Sequence, residues 1–257
     1  VIALSRRTSR RLRPQLAHLS ASSIRIHWVD ETSIHADILR SHPRWAVHRP
    51  PWPLFWGRAG KRLLDIVGAT IGLCLLTPLF LVIAVLIALT DGWPVFYTQE
   101  RVGQGGRSFR IWKFRSMRRD AEGSTGPIWA SNQDERCTRI GRWLRKTNID
   151  ELPQLINVLK GEMSLVGPRP ERPIFVDRFR IEVPDYEFRH AVPAGMTGWA
   201  QVHGWRGRTS LRKRVQYDLD YIRRWSFRLD LTILLMTVQH VVWGKTRWQG
   251  PPGRPEN

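Results

Sequence analysis

Asp150 and Glu151 stand side by side in the segment RWLRKTNIDELPQLINVLKGEMSLVGPRPERP, with Arg142, Arg145 and Lys146 before them and Arg169 and Arg172 after. Two adjacent carboxylates set among cations describe a site where a nucleophile or a metal ligand meets a bound anion. Asp150 also has a structural role open to it. It precedes Leu152-Pro153 and an apolar-periodic stretch, the pattern of a helix N-cap with proline in the first turn. Capping leaves Glu151 and the surrounding basic residues unexplained, and the two roles are compatible, because a helix N-terminus stabilises both a carboxylate and a phosphate. Lys113 and Arg115, in KFRSM, read equally as solvated charges and as phosphate ligands. Arg169, between Pro168 and Pro170, has a stiffened backbone that pre-aims a planar fork suited to phosphate.

Such a pair needs elements to position it, and the most visible is apolar. Ile66 to Thr90 is 25 residues without a charge, bounded by Asp65 and Asp91. A straight helix of that length runs roughly 37 Å, enough to cross a hydrocarbon core of about 30 Å. Thr77-Pro78 falls at its midpoint, where a proline deletes a backbone hydrogen bond and bends the helix, and a preceding hydroxyl can help satisfy the freed carbonyls. Both flanks are basic, so charge gives no orientation for a single crossing. A helix that enters, turns at Thr77-Pro78 and leaves on the cytoplasmic side meets both observations. A kinked crossing and a buried helix of a soluble protein are the alternatives.

The remaining elements are mostly helical. Helical patterns run from Cys137 to Lys146, Leu152 to Lys160, Arg172 to Arg180 and Leu211 to Trp225, and LDLTILLMTVQHVV suits a helix lying in a membrane interface. WPVFYTQERVGQGGRSFRIWKFRSM has strand character on both sides of Gly103-Gln104-Gly105-Gly106, which reads as hairpin punctuation and matches neither a Walker loop nor a dinucleotide fingerprint. In the first 60 residues IRIHWV is a candidate strand, Glu31 to Arg40 is helix-like, and HRPPWPLFWG reads as a linker.

Composition narrows the partners. Lys plus Arg number 41 against 22 Asp plus Glu, a net charge of +19 that favours nucleic acid, anionic lipid or a phosphorylated substrate. The 13 Trp suit either a membrane interface or an ordinary core. Cys74 and Cys137 suggest no disulfide framework, and the eight His form no close cluster with a Cys, which argues against zinc. VIALSRRTSRRLRP lacks the apolar core of a signal peptide, and a chain beginning at Val1 is expected to be a piece of a longer one.

KRLLDIVGATIGLCLLTPLFL, QERVGQGGRSFRIWKFRSM, DELPQLINVLKGEMSLVGPRPERP, AGMTGWAQVHGWRGRTS and DLDYIRRWSFRLDL, in that order, resemble the bacterial sugar transferases, the monotopic phosphoglycosyl transferases. The resemblance runs from about Lys61 to Val242. It implies an α+β, mostly helical fold, with a re-entrant membrane helix hairpin broken at Thr77-Pro78, where the family usually has Ser-Pro. Amphipathic interfacial helices, a small β-hairpin and a cytoplasmic catalytic module complete that fold. The implied division is residues 1–60 as the remnant of an upstream regulatory Rossmann-like domain and linker, 61–92 as the re-entrant helix, 93–245 as the catalytic module and 246–257 as a tail.

By the same resemblance Asp150 is the nucleophile and a ligand of Mg2+, Glu151 is its partner, and Lys113, Arg115, Arg145 and Arg169 bind substrate phosphate. The implied reaction moves a hexose 1-phosphate from a UDP-sugar to undecaprenyl phosphate, with release of UMP, at the cytoplasmic face of the bacterial inner membrane. Inner-membrane lipid is then a partner and nucleic acid is not; homo-oligomerisation is left open. GWRGRTS resembles members that use a glucosyl phosphate, which places UDP-glucose ahead of UDP-galactose and N-acetylated sugars. Two rivals make different use of the same residues: a membrane-tethered nucleic-acid-binding protein has no use for the carboxylate pair, and a non-catalytic adaptor of an export complex keeps it only as a cap.

Overall fold

The computed structural model describes residues 2–5, 26–29, 54–123, 126, 134–207 and 209–243, apart from the side chains of 2–5, 26–29, 54–56 and 242. The chain divides into two compact units, Val1–Pro50 and Pro51–Asn257. In the first, β1 (Ile2–Ser5) and β2 (Ile26–Val29) pair in parallel, Ile2 opposite Ile26. Ile26–Val29, the part of IRIHWV that is described, is thus a strand, whereas the helix expected at Glu31 to Arg40 and the tail at 246–257 lie outside the described residues.

The second unit begins with α1 (Leu54–Asp91), a 38-residue helix with Pro78 inside it. It starts within the stretch read as a linker, because after Pro53 no further proline interrupts until Pro78. Thr77 Oγ1 donates to Leu73 O at 2.7 Å. That carbonyl is one residue ahead of the Cys74 carbonyl that Pro78 leaves without its amide partner, so the hydroxyl does not make the bond expected of it. It makes the i−4 back-bond that opens and bends a helix.

Both arms of α1 pack on the same body. Before Pro78, Ala69, Leu73 and Leu76 join Ile111, Leu155, Val158 and Met163; after it, Ile83, Ile87, Leu79 and Phe80 join Val95, Phe114 and Leu144. Polar ties hold each end. Lys61 Nζ donates to Asp230 Oδ2 at 2.7 Å and to Val166 O at 3.0 Å, with both charges buried. Arg62 caps the carbonyls of Val158 and Leu159, and Asp65 accepts from Ser164 Oγ and Leu165 N. At the other end Arg115 donates to the carbonyls of Asp91 and Gly92.

β3 (Phe96–Val102) and β4 (Ser108–Phe114) form the expected antiparallel hairpin, Phe96 opposite Phe114. Gly105 and Gly106 take φ of 68° and 73° in its turn, a region that favours glycine. Next come α2 (Arg139–Thr147), a 3₁₀ turn over Ile149–Glu151 and α3 (Gln154–Lys160). β5 (Ser164–Val166) then pairs in parallel with β6 (Gly195–Thr197), across α4 (Pro173–Glu182) and a 3₁₀ segment at Tyr186–Ala191. The chain continues as α5 (Trp199–Val202), α6 (Leu211–Arg224) and α7 (Phe227–Val242).

On α7 the exposed side chains of Phe227, Leu231, Leu235, Val238 and Val241 fall within roughly 120° of arc at 100° per residue. Asp230, at the edge of that arc, and Ile233, on the far side, are buried. α1 likewise exposes large apolar side chains along its length, Leu75 at 75% and Leu89 at 79% among them. Exposed apolar surface of this extent is uncommon on a face that meets water alone. The tryptophans divide: Trp93, Trp143 and Trp243 are exposed, Trp205 and Trp225 are buried.

Candidate active site

The turn that holds the carboxylate pair is set by a left-handed residue. α2 ends at Asn148, φ 58°, whose amide caps the carbonyls of Leu144 and Arg145. Asparagine tolerates that conformation, and the chain reverses directly into Ile149-Asp150-Glu151. α3 then starts from Pro153 with no side-chain cap. Asp150 is therefore not an N-cap: it lies inside the 3₁₀ turn, before Leu152-Pro153, and the helix begins later than expected.

The two carboxylates face different environments. Glu151 receives Lys113 Nζ on Oε1 at 2.8 Å and Arg169 Nη1 on Oε2 at 2.8 Å, and Arg169 Nη2 also donates to Oε1. Burial pushes its carboxyl up, but Arg169 and Lys113 outweigh it and hold the group well below the usual carboxylate range. Asp150 is buried, and its carboxylate has no hydrogen-bond partner among the described residues. Burial raises it to about 6; Lys113, Arg145 and Arg169 pull the other way, and the Glu151 charge reinforces the rise. One carboxylate is locked and ionised. The other is ionised at neutral pH, poorly solvated and free to react.

Each cation is positioned by structure behind it. Lys113 comes from β4, whose register against α3 is held by buried Asn157: its Oδ1 accepts from Trp112 N at 2.9 Å, and its Nδ2 donates to Arg110 O at 2.7 Å. Arg169 follows β5 through Gly167, where a Cβ would lie 2.4 Å from Pro193 O; at Gly195 opposite, it would lie 2.0 Å from Gly167 N. Only glycine lets these backbones approach so closely. Beyond it, Arg189 donates to Arg169 O at 2.8 Å and Arg101 to Pro170 O at 3.3 Å. Arg189 is itself held by Asp218 and Tyr186, and Glu171 by Arg214.

Of the residues expected at the site, Lys113 and Arg169 meet at Glu151. Arg145 is close enough to influence Asp150, but its Nη1 donates to Cys137 Sγ at 2.9 Å. Arg115 is not brought to the pair at all, being spent on the end of α1. Thr77 and Pro78 sit in the exposed middle of α1. Sequence reasoning missed Arg101, Arg189, Arg214 and Asp218, and also Arg206, which reaches Asn148 Oδ1 at 3.4 Å. Among 41 basic residues a buried arginine carries no local signal. Glu171, an acid set among arginines in GPRPERP, offered the one hint.

The family description "Bacterial sugar transferase" matches residues 56–244, which contain all of these groups. The chain belongs to the bacterial sugar transferase family. Among the chain's relatives are a UDP-N-acetylgalactosamine-undecaprenyl-phosphate N-acetylgalactosaminephosphotransferase of Aeromonas hydrophila, 47% identical over 186 residues, and a UDP-glucose:undecaprenyl-phosphate glucose-1-phosphate transferase of Xanthomonas campestris pv. campestris, 46% identical over 192. The matches cover 72% and 73% of this chain but only 44% and 40% of those proteins. A shorter relative, the UDP-glucose:undecaprenyl-phosphate glucose-1-phosphate transferase of Caulobacter vibrioides, is 44% identical over 69% of this chain and 68% of its own length.

Proposed function

We propose that this sugar transferase moves a hexose 1-phosphate from a UDP-sugar to undecaprenyl phosphate through a covalent intermediate on Asp150. The observation that carries the reading is the asymmetry of the pair, an unpartnered buried carboxylate beside one locked by two cations. An Asp150 oxygen attacks the β-phosphorus of the donor, and the bond from that phosphorus to the bridging oxygen breaks. UMP leaves with the oxygen. An oxygen of undecaprenyl phosphate then attacks the same phosphorus, and the Asp150 carboxylate is the leaving group. Dividing the transfer lets a water-soluble donor and a lipid acceptor use one pocket in turn. The names of the relatives support both substrates. They include glucose and N-acetylgalactosamine, and GWRGRTS keeps UDP-glucose in front.

Mg2+ fits this site. Magnesium is commonly held by one or two carboxylates together with substrate phosphates and water, and Asp150 has its lone pairs free while Glu151 does not. Bound there, the ion would offset charge on the donor diphosphate. Arg169 and Lys113 fix Glu151, and Glu151 in turn keeps those two cations beside the reacting phosphoryl group.

The reading places α1 in the cytoplasmic face of the inner membrane as a re-entrant hairpin, with α7 lying in the interface. Its support is that Lys61 to Asp65 and Asp91 to Gly92, which a straight helix would hold roughly 45 Å apart from first to last, are tied to one body. The proposed division remains 1–60 as an upstream-domain remnant, 61–92 as the hairpin, 93–245 as the catalytic module and 246–257 as a tail.

Two experiments test this. Radiolabelled UDP-glucose added without acceptor is expected to give close to one equivalent of UMP and to leave label on Asp150, discharged by undecaprenyl phosphate. UMP release only when both substrates are present, with no label on protein, would replace the covalent route by direct transfer. For topology, Cys74 and Cys137 are first removed and Ala59→Cys or Trp93→Cys introduced at exposed positions. Both are expected to react with an impermeant thiol reagent only from the cytoplasmic side; labelling from opposite sides means a crossing helix.

A further inference from the structure

A second charged site lies away from the carboxylate pair, where α1 ends and α2 begins. Asp91, Arg115, Arg118, Arg119, Thr138 and Arg139 line a pocket of about 320 Å³. Four guanidiniums stand against one carboxylate there. Arg115 forms its buried base: Nη2 is spent on the end of α1, whereas Nη1 is buried and has no hydrogen-bond partner. Asp91 Oδ2 is buried and unpartnered in the same place. A buried donor without an acceptor has lost its water for nothing, unless a ligand supplies the missing bond. The head of α2 adds to this. Thr138 Oγ1 is taken by Gly141 N, which leaves the first amides of a nine-residue helix for an anion.

Arg118, Arg119 and Arg139 are exposed at the rim. Close by in the chain, Leu86, Leu89 and Trp93 are exposed, Trp93 at 68%. An aromatic ring at the end of an apolar helix is what a lipid–water boundary favours. The pocket therefore combines a basic, partly buried anion cradle with apolar surface on which acyl chains can lie.

We propose that this pocket binds the phosphodiester of an anionic glycerophospholipid, with phosphate oxygens on Arg115 Nη1 and the rim arginines and a headgroup hydroxyl donating to Asp91. The assignment rests on the proposed placement of α1 in the membrane. It is separate from the reaction centre, because α2 spans roughly 13 Å from the pocket at its head to the carboxylate pair beyond its end. None of the lining residues bonds to Asp150 or Glu151 among the described residues. Bound lipid would clamp the exit of α1 against the head of α2 and so fix the depth at which the module sits.

The test uses the full chain, delipidated in a neutral detergent and titrated with phosphatidylglycerol or phosphatidylcholine, with bound lipid counted by native mass spectrometry. Wild type is expected to retain one phosphatidylglycerol in preference to phosphatidylcholine. Arg118→Ala/Arg119→Ala should bind it roughly 20- to 30-fold more weakly, from the usual contribution of a basic residue near anionic lipid. Arg139→Ala alone should weaken it about fivefold. Undiminished retention by both variants would remove the site. Displacement of the lipid by millimolar inorganic phosphate would make the pocket a soluble-phosphate site and overturn the lipid assignment. Flotation of wild type with pure phosphatidylcholine vesicles tests the membrane placement separately: wild type that floats but shows no lipid preference defeats this inference alone, and wild type that does not float defeats the placement beneath it.

Discussion

Asp150→Asn is expected to give a protein that folds, melts at a higher temperature than wild type and releases UMP at background. The gain in stability follows from the burial of an unpartnered carboxylate. In the folded protein Asp150 titrates at about 6, against 3.8 for an ordinary aspartate. The folded state therefore binds the proton more tightly than the unfolded chain, and stability falls as pH rises from near 4 to near 6. By neutral pH the ionised group costs the fold on the order of 2–3 kcal/mol. Asparagine carries no such charge and no cap is lost, so the melting temperature should rise by about 4–8 °C. This is to be measured in detergent with divalent metal chelated. At pH 4, where the wild-type group is protonated, the two proteins should differ far less.

The loss of activity follows from the same geometry. An amide cannot form the acyl phosphate, and removing the nucleophile of a covalent mechanism costs roughly 10⁴-fold or more. Glu151→Gln separates the two carboxylates by the opposite sign in stability. The Glu151 carboxyl is held below its ordinary range, so it contributes stability above the unfolded pKa that is lost as pH falls through the folded one. Its neutral replacement leaves Lys113 and Arg169 facing each other, and should destabilise by roughly 2–3 kcal/mol while also impairing turnover. If Asp150→Asn destabilised the fold like Glu151→Gln, or kept near-normal UMP release, the division of labour between the two residues would be wrong.

What the sequence disclosed and withheld can be traced to the range of the interactions involved. The β-hairpin, α2 to α4, α6 and the apolar face of α7 are written in local patterns, and the structure places them within a few residues of expectation. The carboxylate pair was visible because two acids stand together amid arginines. The cap assigned to Asp150 failed because Leu152-Pro153 closes a 3₁₀ turn before α3 begins, a distinction of one hydrogen-bonding step that residue preferences do not resolve. Arg115 was misplaced for another reason. It sits two residues after Lys113 at the end of β4, and only the path of α1 decides that its partners are Asp91 and Gly92. Buried Arg189, Arg101 and Arg214 look in the sequence like the many solvated arginines around them. The internal pairs of Arg189 with Asp218 and Arg214 with Glu171 each match one base with one acid, so they leave the +19 net charge on the rest of the molecule, where it still favours an anionic partner.

Arg169→Ala is expected to lower turnover by roughly 10²- to 10³-fold, with most of the loss in kcat. Between its prolines this residue was expected to present its fork to a phosphate. The structure directs the fork at Glu151 instead, with two of its N–H groups spent there, so its first effect is on the shape and charge of the pair. Removing it frees Glu151 to move and deletes a cation that pulls down Asp150, whose pKa should then rise above about 6. The acid limb of kcat/KM should move to higher pH with it, a response that a merely structural residue would not produce. Arg169→Lys should recover only a minor fraction of the rate, because an ammonium cannot hold both Glu151 oxygens as a planar fork does. Arg178, paired with Glu182 on the exposed face of α4, gives the comparison: Arg178→Ala should leave turnover within about twofold, since exposed pairs of this kind contribute little. Equal, small effects of the Arg169 and Arg178 substitutions would return Arg169 to the status of a solvated charge. A large loss without movement of the acid limb would make it a scaffold for the loop. Only the combination of lost turnover, shifted limb and failed lysine rescue requires that the guanidinium set the electrostatics under which Asp150 reacts.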